Sequence, residues 1–304
     1  MYQNILRLEG IMVLLVLCGV ALRRRKLITD EGQDCLTDLM TTLILPCNIF
    51  LSFPQQMDLA MLRSFFLTIL ISVLVMAASA LLGRAVYGRR EEHESKVFQY
   101  GLINSNAMFI GVPVIQNLLG AEGVVQQTMY MIFVRMFCWS YALSLYTGVK
   151  ADWRQSLKKL LVHPCMIAAV LGLAVMMSGI QLTEVLLETA QYLSDCMMAL
   201  SMLLIGVVLS EIHTRALFRR DVWGFALLRL VVLPALVLAL CRLCRVPQIV
   251  TATCTLLSGM PAASLTAVLA ARYRGDAELG SMLVAVSTAL SMVTTVLWAL
   301  VLHI

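Results

Sequence analysis

Charge is what this chain of 304 residues has least of: charged residues make up 13% and hydrophobic ones 60%, far from the balance of a water-facing domain. That shortage excludes a soluble fold of this length. Histidine is scarce as well. His93, His163, His213 and His303 fall in loops or at helix ends, and neither HExxH, nor Gly-x-Ser-x-Gly, nor acids clustered at metal spacing occur. No enzyme, metal site or cofactor is therefore expected. A cleavable leader is not expected either, because the apolar stretch Ile11 to Leu22 runs into Arg23, Arg24, Arg25 and Lys26 without a small-residue cleavage pattern. The first helix is expected to stay in a membrane. The nine cysteines do not amount to a disulfide framework, since Cys18, Cys47, Cys138, Cys196 and Cys254 lie inside apolar stretches, where a thiol behaves as a small hydrophobe. Cys241 and Cys244 form a CxxC without a second pair or a nearby histidine, which reads as a helix end.

What the sequence does have is apolar runs. A helix needs roughly 20 mostly apolar residues to span a bilayer, and on that measure ten spans are expected: Leu8 to Leu22, Cys35 to Phe53, Leu62 to Leu82, Val97 to Leu119, Val124 to Val149, Leu161 to Ser178, Val185 to Leu209, Val222 to Leu243, Ile249 to Ala270 and Leu279 to Val301. Basic residues collect after the odd-numbered spans: Arg23, Arg24, Arg25, Lys26; Arg84, Arg89, Arg90, Lys96; Lys150, Arg154, Lys158, Lys159; Arg215, Arg219, Arg220; Arg272, Arg274. The other side has Arg7, Arg63, Arg242 and Arg245. By the positive-inside rule both termini lie outside a multi-pass protein of the cell (plasma or inner) membrane. The net charge of +5 is explained by that topology, so no nucleic-acid partner is expected; membrane lipids are, and a homodimer stays open.

Short matches relate the two halves. Leu36-Thr37-Asp38 with Met40 resembles Leu193-Ser194-Asp195 with Met197; Gly111-Val112-Pro113 recurs as Gly259-Met260-Pro261; Ala121-Glu122-Gly123 recurs loosely as Ala277-Glu278-Leu279-Gly280. The expected fold is an all-α integral membrane protein of ten transmembrane helices, with 1–150 a first five-helix repeat and 151–304 a second. Five is odd, so the second is inverted. Broken helices crossing near the midplane of inverted repeats are an architecture of secondary transporters, and helices 4 and 9 are expected to break at Pro113 and Pro261 and to cross there.

The polar residues near the breaks are the candidate site. Asn104 and Asn106 precede Gly111 and Pro113 in span four, and Ser258 and Ser264 flank Gly259 and Pro261 in span nine. Each amide either meets a substrate or ion or satisfies freed backbone, and each hydroxyl either lines the cavity or bonds back to its own helix. The half-helix after Pro113 would offer N–H groups and its positive dipole end to an anion. Two cations lie in mid-span. Arg135, among Phe133, Met136, Phe137 and Trp139, either grips a carboxylate or pairs with an acid such as Asp38 or with free carbonyls; Arg229 lies nearer a helix end, where snorkelling is easier. Asp38 and Asp195 either couple transport to H+ or Na+ or are solvated helix-end acids, and Pro46 with Asn48 adds a kink and an amide to the cavity wall.

Taken together, Asn106 through Pro113, Met260-Pro-Ala-Ala-Ser-Leu-Thr-Ala-Val-Leu-Ala-Ala-Arg-Tyr273, Asp276-Ala-Glu-Leu-Gly280, Thr29-Asp-Glu-Gly and Leu43-Ile-Leu-Pro46 resemble the auxin efflux carrier family of bacterial permeases, relatives of plant auxin exporters and of malate and malonate permeases. The resemblance covers nearly the whole chain. It implies two inverted five-helix repeats whose fourth and ninth helices cross at prolines, substrate beside the crossing, and small organic anions as the substrate class. The function expected is transport of such an anion by alternating access; a receptor or scaffold with a degenerate transporter fold is the alternative.

Overall fold

The computed structural model describes residues 2–53, 59–148, 153–178, 180, 182–210 and 219–304. The expected end of span five at Val149, the repeat boundary at 150/151, and Lys150 and Arg215 fall outside them. Helices account for almost all of the described residues. In order they are α1 (Tyr2–Arg24), α2 (Asp30–Leu39), α3 (Leu45–Ser52), α4 (Leu59–Tyr87), α5 (Glu92–Ile103), α6 (Gly111–Phe137), α7 (Leu143–Thr147), α8 (Trp153–Leu161), α9 (Pro164–Ser178), α10 (Glu184–Leu209), α11 (Arg220–Leu227), α12 (Leu233–Leu243), α13 (Gln248–Ser258), α14 (Leu265–Arg272) and α15 (Ala277–Leu302).

Local sequence explains several boundaries. Thr29 caps α2 by accepting from the Gly32 N–H, and Asp276 caps α15 by accepting from the Leu279 N–H. Pro46 and Pro234 each sit at the start of a helix that follows a π-helical turn, Met40–Ile44 before α3 and Leu228–Val232 before α12. A proline inside a helix removes one N–H and crowds the preceding turn, and the widened turn absorbs both faults. The kink expected at Pro46 thus takes the form of a π turn.

Among the described residues, six helical stretches are long and apolar enough to cross a membrane: Asp30–Ser52, Met61–Tyr87, Gly111–Thr147, Glu184–Leu209, Arg220–Leu243 and Ala277–Leu302. Of the remaining expected spans, the first is the continuous 23-residue α1 and two are interrupted. Span four divides into α5 and the start of α6, span nine into α13 and α14, and α9 is a 15-residue apolar helix. The loop expected before span five is a kink at Gly120 (φ 67°, ψ −160°) with the helix resuming directly, a conformation that glycine adopts without a Cβ clash.

The helices gather in two bundles. One joins α1, α2, α3, α9 and α10; the other joins α4 to α7 with α11 to α15. In the first, α1 and α10 meet at glycines so closely that a Cβ on Gly19 would lie 2.2 Å from the Leu203 carbonyl oxygen, and one on Gly206 would lie 2.1 Å from that of Val16. Small residues permit such approach between apolar helices, where van der Waals packing supplies the attraction. In the second, an ion-pair cluster ties the start of α5 to the start of α11. Arg219 reaches Glu94 at 2.8 Å and Asp221 at 2.7 Å, and Arg90 reaches Asp221 at 2.9 Å while stacking 4.8 Å over the Phe98 ring. The hydrogen bond from Arg219 holds the Glu94 carboxyl below its ordinary range.

Two outcomes are expected in thermal melts of purified protein. Gly206→Ala should destabilise the fold by about 1–3 kcal/mol or more, because the clash is with backbone and no rotamer relieves it; Gly224→Ala, whose Cβ would meet nothing within 4 Å, should not. Equal melting of the two variants would contradict the glycine contact. A carboxyl whose pKa is depressed in the folded state adds stability above its unfolded pKa and loses it as pH falls through the folded one. Arg219→Ala should therefore melt below wild type at pH 7, by the ~0.2–1 kcal/mol of a partly exposed pair, and the gap should close as pH falls beneath the ordinary glutamate range through the lowered pKa of Glu94.

Candidate functional site

The two interrupted helices satisfy each other. Beyond α5 the chain unwinds over 104–110, and beyond α13 over 259–264. The Asn106 N–H donates to the Pro261 carbonyl at 2.8 Å, and the Ala263 N–H donates to the Asn104 carbonyl at 3.0 Å, forming an antiparallel bridge between Ser105 and Ala262. Side chains take up the backbone groups still left over. Ser287 Oγ accepts from the Ala262 N–H at 3.1 Å, Gln127 Nε2 donates to the Ala107 carbonyl, and Arg229 donates through Nε to the Met260 carbonyl at 2.9 Å and through Nη1 to the Leu102 carbonyl. Arg229 is 1% exposed; it does not snorkel but spans both breaks. Buried polar backbone in apolar surroundings costs free energy unless it is paired, and this network pairs it.

The prolines differ in register. Pro261 lies within its unwound stretch, whereas Pro113 is the third residue of α6, a first-turn position where a missing N–H costs nothing. Gly111 opens α6, where an added Cβ would lie 3.1 Å from Leu257, and Gly259 ends α13 with Pro234 3.3 Å from where its Cβ would be. The first N–H groups of α6 are already engaged, Gly111 with the Asn106 carbonyl at 3.3 Å and Val112 with that of Met108 at 3.4 Å. The anion-binding helix end expected after Pro113 is thus closed by its own loop.

Between the bundles lies a cavity of about 180 Å³. Asn106, Phe109, Ser264, Val268, Val284 and Thr288 line it from one side, and Gln33, Asp34, Thr37, Leu204, Ile205 and Val208 from the other. It sits at the end of the molecule where α1 finishes in Arg23 and Arg24, α10 finishes, and α14 finishes in Arg272. The volume is below that of drug-sized pockets and suits a small metabolite. Its polar lining can donate from amides and hydroxyls, with Asp34 as the carboxylate.

The expected site residues divide. Asn106 and Ser264 enter the cavity. Asn104 turns away, donating to Tyr100 Oη at 3.0 Å and accepting from Cys138 at 3.6 Å, and Ser258 bonds back to the Thr255 carbonyl at 2.8 Å. Arg135, 9% exposed, lies apart from the cavity beside Met108 Sδ. Asp38 is exposed, and among the described residues no carboxylate forms an ion pair with Arg135. Asp195 is exposed and accepts from Gln191 at 2.7 Å. Asn48 is buried away from the cavity, where it donates to Gln116 Oε1 at 2.7 Å and Ser194 Oγ at 2.8 Å. Sequence reasoning missed Gln33, Asp34, Thr37 and Thr288. The signal for Thr37 was present: stepping back from Ile44 and Met40 at helical spacing gives Thr37 and Gln33, and Asp38 lies off that face.

Replacing Arg229 tests the network. Arg229→Met should leave the Leu102 and Met260 carbonyls unpaired and lower stability in thermal melts by at least about 1–3 kcal/mol, while the exposed Arg220→Ala should melt as wild type.

Comparison with known proteins places the chain among membrane transport proteins. The profile of the membrane transport protein family matches residues 8–156 and again 149–299. An uncharacterized transporter of Methanocaldococcus jannaschii is 24% identical over 307 residues, covering 96% of this chain and 97% of that protein. An uncharacterized transporter of Methanothermobacter thermautotrophicus is 27% identical over 296 residues, covering 95% and 96%. Both relatives are archaeal, so the likeness reaches beyond bacterial permeases. The chain belongs to the auxin efflux carrier family of membrane transport proteins.

Proposed function

We propose that this protein is a secondary transporter that carries a small organic anion, a carboxylate of the size of malate, malonate or an auxin-like acid, through the cavity between its two bundles by alternating access. The observation that carries the reading is the position of that cavity: one wall is the crossing of two broken helices and the other belongs to a separately packed bundle, so a shift of one bundle against the other would move the opening. Support for ten crossings in two inverted repeats comes from the family profile matching each half and from two broken helices that pair with each other. In this reading α1, α9 and the two broken pairs complete the six long spans.

Asn106 and Ser264 are the substrate contacts of the proposal, Asn106 through its amide and Ser264 at the start of α14, whose positive dipole end adds attraction for an anion. Asp34 is the candidate for coupling to H+ or Na+, because a carboxylate beside an anion site is relieved by a proton or a cation. The cavity lies at the end carrying the basic loops, so this conformation is read as open to the cytoplasm, with both termini outside.

Uptake into liposomes by purified protein tests the proposal. Labelled malate, malonate and indole acids should be screened, and for the acid transported Asn106→Ala and Ser264→Ala should lower uptake about tenfold, the order of one lost hydrogen bond of ~1.4 kcal/mol, in protein that still melts cooperatively. Asn104→Ala should stay near wild type, and Asp34→Asn should lose gradient-driven accumulation while keeping exchange. Full uptake by Asn106→Ala and Ser264→Ala would refute the site.

A further inference from the structure

Arg135 presents a separate problem. Its guanidinium carries five N–H donors and a permanent charge, and the side chain is 91% buried, being 9% exposed. What it meets is sulfur: the Met108 thioether, with the Cys165 thiol beside it. Neither balances the charge, and among the described residues none of the buried polar side chains is an Asp or Glu. A buried cation is tolerated when it is paired and hydrogen-bonded, and is costly otherwise. Arg229, the other buried arginine, has two carbonyls; Arg135 has no such partner.

Next to Arg135 is a second cavity, of about 20 Å³. Gln127, Thr128, Met108 and Arg135 form its wall from one bundle, and Leu45, Ile49, Cys165 and Met166 form it from the other. Gln127 spends one Nε2 N–H on the Ala107 carbonyl and leaves its Oε1 without a partner, and Thr128 donates its hydroxyl to the Val124 carbonyl at 2.9 Å, so the charged donors facing the space are those of Arg135. About one water-sized particle fits a volume of this order. An organic carboxylate does not.

We propose that this cavity is a binding site for a single halide ion, chloride under ordinary conditions, held by the Arg135 guanidinium at the seam between the two bundles. The size selects a monoatomic anion, the cation supplies its attraction and N–H contacts, and the apolar lining removes competing water. The site stands on the geometry around Arg135 and does not depend on how the larger cavity is read. Because its walls come from both bundles, the bound ion would stabilise their present arrangement.

The test is a halide-specific melt. Full-length protein in detergent should show a saturable rise in melting temperature of a few degrees when chloride or bromide replaces gluconate at fixed ionic strength, and Arg135→Gln should abolish the rise. Equal melting of wild type in chloride and gluconate, or an undiminished rise in Arg135→Gln, would overturn the proposal. Should that variant not fold, crystals of wild type soaked in bromide decide: anomalous density against the Arg135 guanidinium supports the site, and a water there without anomalous signal overturns it.

Discussion

Everything at the centre of this molecule depends on one constraint: two helices are interrupted inside an apolar body, and the backbone they expose has no water to turn to. The chain meets it by pairing one break with the other, Asn106 to Pro261 and Ala263 to Asn104. That pairing leaves the carbonyls of Leu102, Ala107 and Met260 and the N–H of Ala262, and each finds a side chain from a helix packed behind the crossing: Arg229, Gln127 and Ser287. The polar interior of the second bundle is therefore in large part the machinery of its own crossing. What remains free to meet a ligand is what the crossing does not consume.

This explains why residues of the same type have different fates. Asn104 and Asn106 are two positions apart, which in an extended stretch would put them on one face. Here Asn104 still follows the end of α5 and turns to Tyr100, four residues back, while Asn106 caps the turn at Phe109 at 3.3 Å and fronts the cavity. The unwinding between them separates an amide bound to its own helix from one that faces the cavity. The arginines divide similarly. Arg229 is held by carbonyls, and Arg135 faces the seam with sulfur beside it.

Much of the fold was legible because its signals are physical necessities. Long apolar runs predict membrane helices, and glycine with proline predicts interruptions. The position of the breaks was less legible. Gly-x-Pro looks the same in both halves, yet in one it ends the unwound stretch by starting α6 and in the other it forms part of it, and nothing in three residues distinguishes a first-turn proline from one inside a break. The acid in the cavity was missed for another reason. Asp38 matched Asp195 across the halves and drew attention by charge, but α2 turns Thr37 inward and Asp38 outward, while Asp34, one turn earlier, lies at the cavity's edge and is itself exposed. Facing of this kind is set by which helix packs opposite, a relation between distant segments that local sequence does not carry.

The distribution of polar contacts between the bundles gives the structure a direction. Toward the end with the basic helix termini the bundles part around a 180 Å³ cavity. On the other side of the crossing they are joined, with Asn48 of α3, held within its own bundle by Ser194 on α10, donating to Gln116 on α6, and Asn117 on α6 reaching Met198 on α10 at 3.7 Å. The Asn48–Gln116 bond is half-buried, and a polar pair shielded from water is costly to break without replacement, so the joined side is the one that would have to exchange partners before opening. The half-helix after the break in span four is common to both sides: its preceding loop fronts the cavity through Asn106 and Phe109, and its body is bonded to the opposite bundle through Gln116. A displacement of that one short helix would therefore act on the cavity side and the joined side together, which is the mechanical coupling that the proposed alternating access would require.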